Sequence, residues 1–221
     1  MQVVANRVSV AGRHGTALPS TSLTISTGEL IVVNGESGTG CTAFGLTLTG
    51  ALRPGTGEVT VDGAADLARL RRHSALVDAP RVSAPEGHLP VHAVVAEELA
   101  FADLPSDHAA VSRWLADHDA LRHSETEIDD LPAEPRTRLL TDLAALRPDV
   151  RLLVLDRPDR HTGDVEGWPM LAHEHAERGL AVVVLTATVD VASLFLPVAR
   201  LGELEQPAAQ RCAPSAPEVP V

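Results

Sequence analysis

The chain has 221 residues and a formal net charge of −12, from 18 Lys+Arg against 30 Asp+Glu. That length suits one domain, and the acidic excess argues against nucleic acid as a partner. Apolar residues make up 44% of the chain and aromatics only 2%, which predicts a full core built from Leu, Val and Ala. The chain holds no apolar run near the roughly 18 residues of a membrane span, no basic-then-apolar leader, and only Cys41 and Cys212 to form a disulfide.

Residues 2–10 alternate apolar and polar positions, as a half-buried strand does. Spans 23–26 and 30–34 read as strands around the turn signal Thr27-Gly28. After residues 35–42 a helix is predicted over 43–48, then a turn at Arg53-Pro54-Gly55-Thr56-Gly57. A strand over 58–63, a helix over 64–72 and a strand over 74–78 follow. Residues 79–90 carry three prolines and a glycine and mark a boundary. Helices are expected over 91–100, over 109–121 (apolar at Val111, Trp114 and Leu115) and over 133–146. The run 151–156 is apolar and ends in Asp156, the pattern of a strand buried on both faces. A helix over 165–178 and a strand over 180–186 come next. The last stretch, 206–221, holds four prolines and is expected to be disordered. Strands alternating with helices indicate an α/β fold with a mostly parallel central sheet.

The segment Gly35, Glu36, Ser37, Gly38, Thr39, Gly40, Cys41, Thr42 fits G-x-x-x-x-G-K-[ST] except that cysteine replaces lysine. Its strand–loop–helix setting is the one a phosphate-cradling loop needs: glycines let backbone N–H groups converge on phosphate oxygens, and the helix N-terminus adds partial positive charge. These eight residues are the candidate nucleotide-binding positions. The chain contains no lysine at all, but drift towards GC-rich codons turns lysine into arginine, so a cysteine at position 41 points to relaxed selection on the charge. A second reading makes Cys41 a reactive thiol, because a helix N-terminus can lower a thiol pKa. His173 and His175, two apart on a helix, point to different faces and read as surface histidines rather than metal ligands.

The loop, the Asp156 strand and the helical insertion together resemble the nucleotide-binding domain of an ATP-binding cassette (ABC) transporter over residues 2–204. The block Gly28-Glu29-Leu30-Ile31-Val32-Val33-Asn34-Gly35, the loop, then residues 52–63 carry the likeness, which the family writes as G-E-x-x-x-x-x-G and L-x-P-x-x-G-x-x-x-x-x-G. The resemblance implies a P-loop NTPase-like ABC cassette: a mostly parallel central sheet, an N-terminal antiparallel β part and an inserted helical subdomain. The expected layout is one domain over 1–205, with a RecA-like core over 1–79 and 148–205, a helical subdomain over 80–147, and the tail 206–221. It also implies a cytoplasmic protein at the inner face of the cell membrane. Its partners would be a transmembrane ABC-type or other multi-span membrane protein, docked beside residues 79–105, and in some assemblies a second cassette subunit.

Measured against that family, the chain lacks most of the hydrolytic apparatus. Arg157 stands where the catalytic Glu is expected, and an arginine cannot act as general base. Asp159 is a neighbouring carboxylate that could stand in. Ala79 stands where a Gln should sit and Ala187 where a His should. The signature glycine pair has no counterpart, since no glycine lies between His88 and Thr162. Its place is Leu131-Pro132-Ala133-Glu134-Pro135, and no aromatic precedes Phe44 to stack on adenine. Thr42 and Asp156 survive as a vestigial Mg²⁺ pair. No cofactor is firmly expected beyond weakly held ATP or ADP with Mg²⁺. Losing a charge partner at a desolvated phosphate site costs on the order of 2–5 kcal/mol. The expectation is a pseudo-ATPase acting as scaffold or regulator. The alternative is an ATP-binding, conditionally active subunit that powers transport with a competent partner cassette.

Overall fold

The alternation at the start of the chain becomes β1, Gln2–Gly12, in the computed structural model, which describes residues 1–12, 15–35, 40–161, 167–190, 192 and 194–212. It pairs antiparallel with β2, Gly15–Ser26, and with β4, Thr56–Val61, giving a sheet of order β2-β1-β4. The second sheet runs β5-β6-β7-β3-β8, all parallel: β5 is Ser74–Val77, β6 Leu152–Asp156, β7 Ala181–Thr186, β3 Glu29–Asn34 and β8 Val198–Arg200. The helices are α1, Cys41–Leu48; α2, Leu67–His73; α3, Val91–Phe101; α4, His108–Asp117; α5, Ala133–Ala145; and α6, Trp168–Glu177. The α/β fold with a parallel sheet and an antiparallel N-terminal part is as expected.

Residue alternation divides β3, β6 and β7 between two cores. Ile31, Val33, Leu152, Val154, Val183 and Leu185 face α1, through Phe44 and Leu48, and the inner side of the antiparallel sheet, through Val3, Ile25 and Val61. Leu30, Val32, Leu153, Leu155, Val182 and Val184 face the other way, towards α3, α5 and α6. A strand buried on both faces has no polar alternation to show, which is why these three read as continuous apolar runs.

Several boundaries differ from expectation. β2 begins at Gly15, well before residue 23, because it is an edge strand: Pro19 costs no interior ladder bond there. β4 starts at Thr56, inside the expected turn. The expectation of disorder from residue 206 is corrected for 206–212. Gln210–Arg211 form β9, antiparallel to β3, the Cys212 amide donates to the Gly28 carbonyl at 2.9 Å, and Cys212 is buried. Residues 213–221 of that tail lie outside the described residues. Among the described residues no helix is long and apolar enough to cross a membrane.

Candidate functional site

Gly35 leaves β3 and turns at once over the end of β7, its N–H donating to the Thr186 carbonyl at 2.9 Å. A side chain there would force its neighbours to shift, since an added Cβ would lie 2.7 Å from both Cys41 Sγ and Leu201 Cδ1. Gly40 re-enters described structure at φ +91°, left-handed backbone that glycine adopts without strain, and precedes α1 as its N-cap. Glu36, Ser37, Gly38 and Thr39 lie outside the described residues.

Cys41 opens α1 and turns inward. It is fully buried, and its Sγ donates to the Thr186 carbonyl at 3.7 Å. Burial pushes its pKa up to about 11, the Asp156 carboxylate adds to the rise, and Arg157 opposes it. This corrects the reading of Cys41 as an activated thiol. Native protein at pH 8 is therefore expected to leave Cys41 unlabelled by iodoacetamide over an hour-scale incubation that fully labels urea-unfolded chain. Peptide mapping of the alkylated digest checks it, and equal labelling of folded and unfolded protein would overturn it.

Thr42, one residue on, points towards the end of β6, and its Oγ1 donates to Asp156 Oδ2 at 2.7 Å. The two residues read from sequence as a vestigial metal pair are thus in direct contact. Asp156 has no exposed side-chain surface, and its other oxygen accepts from Arg157 Nε at 3.3 Å. Its backbone carbonyl accepts from Arg160 Nη1 at 2.7 Å. The arginine in the glutamate position is therefore an ion partner of the carboxylate beside it.

Asp159 is committed elsewhere. Its Oδ2 accepts from the amides of Ala187 at 3.1 Å and Thr188 at 2.8 Å and from the Thr188 hydroxyl at 2.6 Å, tying the turn after β6 to the turn after β7. Burial alone would raise its pKa, but the Thr188 hydroxyl and these amides bring it below the ordinary carboxylate value. A carboxylate so held is a poor proton acceptor. Ala187, in the expected histidine position, contributes only its amide.

The Leu131–Pro135 stretch starts α5 with no side-chain cap: Pro132 is the N-cap and Glu134 sits in the first turn. Glu134 packs back on the same chain, its Cγ 2.9 Å from where a Cβ on Gly167 would stand. Two residues further on, Arg136 is 3% exposed and reaches Asp78 at the end of β5. Sequence reading missed this residue. Its signal was a lone arginine among the apolar positions of an otherwise amphipathic helix. His175 also departs from expectation. It is 1% exposed, with Nε2 3.1 Å from Asp142 Oδ1, because α6 turns that face to the core; only His173 is half-exposed. Among the described residues no group of three or more His, Cys, Asp or Glu could hold a metal.

A buried strand ending at Gly35, a helix opening after Gly40, and the next strand but one ending in an aspartate bonded to that helix's threonine are the arrangement of a P-loop α/β domain. The sequence profile of the ABC transporter family matches residues 18–137, and the chain belongs to that family. No curated protein matches the chain. Solved structures with the same fold include an ATP-binding subunit of an ABC transporter (16% identity, TM-score 0.66, 96% of this chain and 90% of that one). A nucleotide-free ATP-binding cassette from an ABC transporter aligns at 15% identity and TM-score 0.65, over 96% and 92%. The dimeric bacterial ABC transporter cassette MJ0796 aligns at 21% identity and TM-score 0.69, over 92% and 97%.

Proposed function

We propose that this chain is a degenerate ABC transporter ATP-binding-type subunit: a pseudo-ATPase that docks on a multi-span membrane protein as scaffold or regulator. We read its RecA-like core as 1–79 with 148–205 and its helical subdomain as 80–147. The observation that carries the reading is the Arg157–Asp156 pair. A Mg²⁺ ion would take Thr42 Oγ1 directly and be supported by an Asp156 oxygen through water. Here those two atoms bond to each other, and a guanidinium lies 3.3 Å from the carboxylate's remaining oxygen. A cation beside a two-oxygen donor set repels the metal and does not fit it. Cys41, fully buried and uncharged, offers a triphosphate no charge.

The docking half rests on exposed apolar residues around 79–105. The apolar side chains of α3 itself (Val91, Val94, Val95 and Leu99) are spent on the core, but Val82, Phe101 and Leu104 are 53%, 66% and 41% exposed. Such side chains on a soluble surface suit a partner's apolar contact.

Two measurements test the two halves separately. Ligand at about a hundred times Kd stabilises a protein by about 2.7 kcal/mol, several degrees in Tm for a chain of this length. Millimolar Mg-ATP is expected to shift Tm by less than about one degree, and a shift of several degrees would establish the ATP-binding alternative. Phe101→Asp with Leu104→Asp is expected to abolish co-purification of a multi-span membrane protein from detergent-solubilised membranes. Undiminished recovery, identified by mass spectrometry, would remove the docking surface.

A further inference from the structure

We propose that Asp78, Arg136, Arg160 and His161 form an ionic bolt that fastens the helical layer α3–α5 to the ends of β5 and β6 and makes them one rigid body without any ligand. Asp78 stands just past β5 in left-handed backbone, φ 54°, a conformation that aspartate tolerates. Arg136 from α5 meets it with both arms, Nε to Oδ2 at 3.0 Å and Nη2 to Oδ1 at 2.9 Å. The third nitrogen of Arg136, Nη1, donates to the Ile128 carbonyl at 2.7 Å and to Asp129 Oδ1 at 3.3 Å. From the other side Arg160 brings Nη2 to Asp78 Oδ2 at 2.9 Å, and His161 Nε2 lies 3.1 Å from the same oxygen.

The side chains of Arg136 and Asp78 are 4% and 10% exposed, so the pair is screened from water on both sides. A bidentate guanidinium–carboxylate contact fixes angle as well as distance. Any rotation of α5 against the sheet ends must break it and leave charge buried. Arg160 extends the seam: by holding the Asp156 carbonyl with its other arm it continues the chain of polar contacts from Thr42 on α1, through Asp156 and Asp78, to Arg136 on α5. The groups at these strand ends are thereby satisfied by the protein itself. This bolt stands on the ion cluster alone and goes beyond the question of nucleotide binding.

Hydrogen–deuterium exchange on the full chain tests it. Arg160→Gln removes the core-side arm but leaves the bidentate Asp78–Arg136 pair, so the fold is kept. Amides of residues 78–84 and 128–137 are expected to exchange at least about tenfold faster, with those of β3 and β7 within about twofold of the parent, the signature of local opening. Unchanged exchange, or an equal acceleration in β3 and β7, would overturn the bolt. In the parent protein, exchange of 128–137 is expected to be the same with and without millimolar Mg-ATP. Nucleotide-dependent exchange together with the several-degree thermal shift would remove the pseudo-ATPase reading, while the Arg160→Gln comparison still decides the bolt.

Discussion

Replacing Asp78 by Asn is expected to cost about 3–5 kcal/mol of unfolding free energy, the range for removing one partner of a buried ion pair. Asparagine keeps the shape and the tolerance for left-handed backbone at φ 54°, so the loss reports charge. What remains is two guanidiniums, Arg136 and Arg160, facing a neutral amide, with the 74%-exposed Asp129 at the rim. Acid titration gives an independent check. Burial alone would raise the Asp78 pKa, but hydrogen bonds from His161 and Arg136 and the charge of Arg160 outweigh it and set the carboxyl at about 2, against an ordinary 3.8. A depressed pKa stabilises the fold fully above the unfolded value and loses that contribution as pH falls from 3.8 towards 2. The contribution is on the order of 2 kcal/mol. Urea unfolding of the parent protein should therefore lose stability more steeply than Asp78→Asn between about pH 4 and 2.5. Parallel curves for the two proteins, or a midpoint unmoved by the substitution at pH 7, would show that the carboxylate carries no such weight.

The parallel sheet was legible from sequence because burial on both faces leaves a signal no surface strand can imitate: Leu30 to Val33, Leu152 to Leu155 and Leu180 to Leu185 are unbroken apolar runs, the first two bounded by polar residues and the third by Gly179 and Thr186. β8 and β9 were not legible. Val198–Arg200 and Gln210–Arg211 are too short to show any period, and both pair with the one edge of β3 that β7 leaves open, β8 parallel along its end and β9 antiparallel at its start. The same division holds at the site. The lysine-to-cysteine exchange at position 41 and the arginine at 157 could be read one residue at a time against the motif. That the Cys41 thiol is buried, that Asp159 is spent on the amides after β7, and that Asp78 gathers Arg136, Arg160 and His161 could not. These contacts join residues far apart in the chain (Asp78 and Arg136 by 58 positions), and nothing local at either end marks them. His175 shows the complementary failure: residue type favoured the surface, and the orientation of α6 decided otherwise.

With millimolar Mg-ATP the purified chain is expected to release phosphate no faster than the blank, and neither Arg157→Glu nor Arg157→Glu with Cys41→Lys is expected to change that. Each term these positions would supply is large: a placed general base contributes about 10²–10⁴-fold and a placed electrostatic donor about 10²–10³-fold. Restoring the side chains does not restore their settings. A glutamate at 157 would replace the guanidinium 3.3 Å from Asp156 Oδ1 by a like charge against a carboxylate with no exposed surface. Even with that carboxylate in place, positions 79 and 187 would still be alanines and the signature glycine pair would still be absent. A lysine at 41 starts from a pocket packed against Gly35 and Leu201, with the position's present donor already spent on Thr186. Arg157→Glu should also lower stability by on the order of 2 kcal/mol, since it removes a partner of a buried carboxylate. A malachite-green assay over hours, with Asp156→Asn as the control, measures the first result. Release rising about tenfold or more above blank in Arg157→Glu, and vanishing in Asp156→Asn, would mean that the loop is still catalytically competent and that a single arginine silences it.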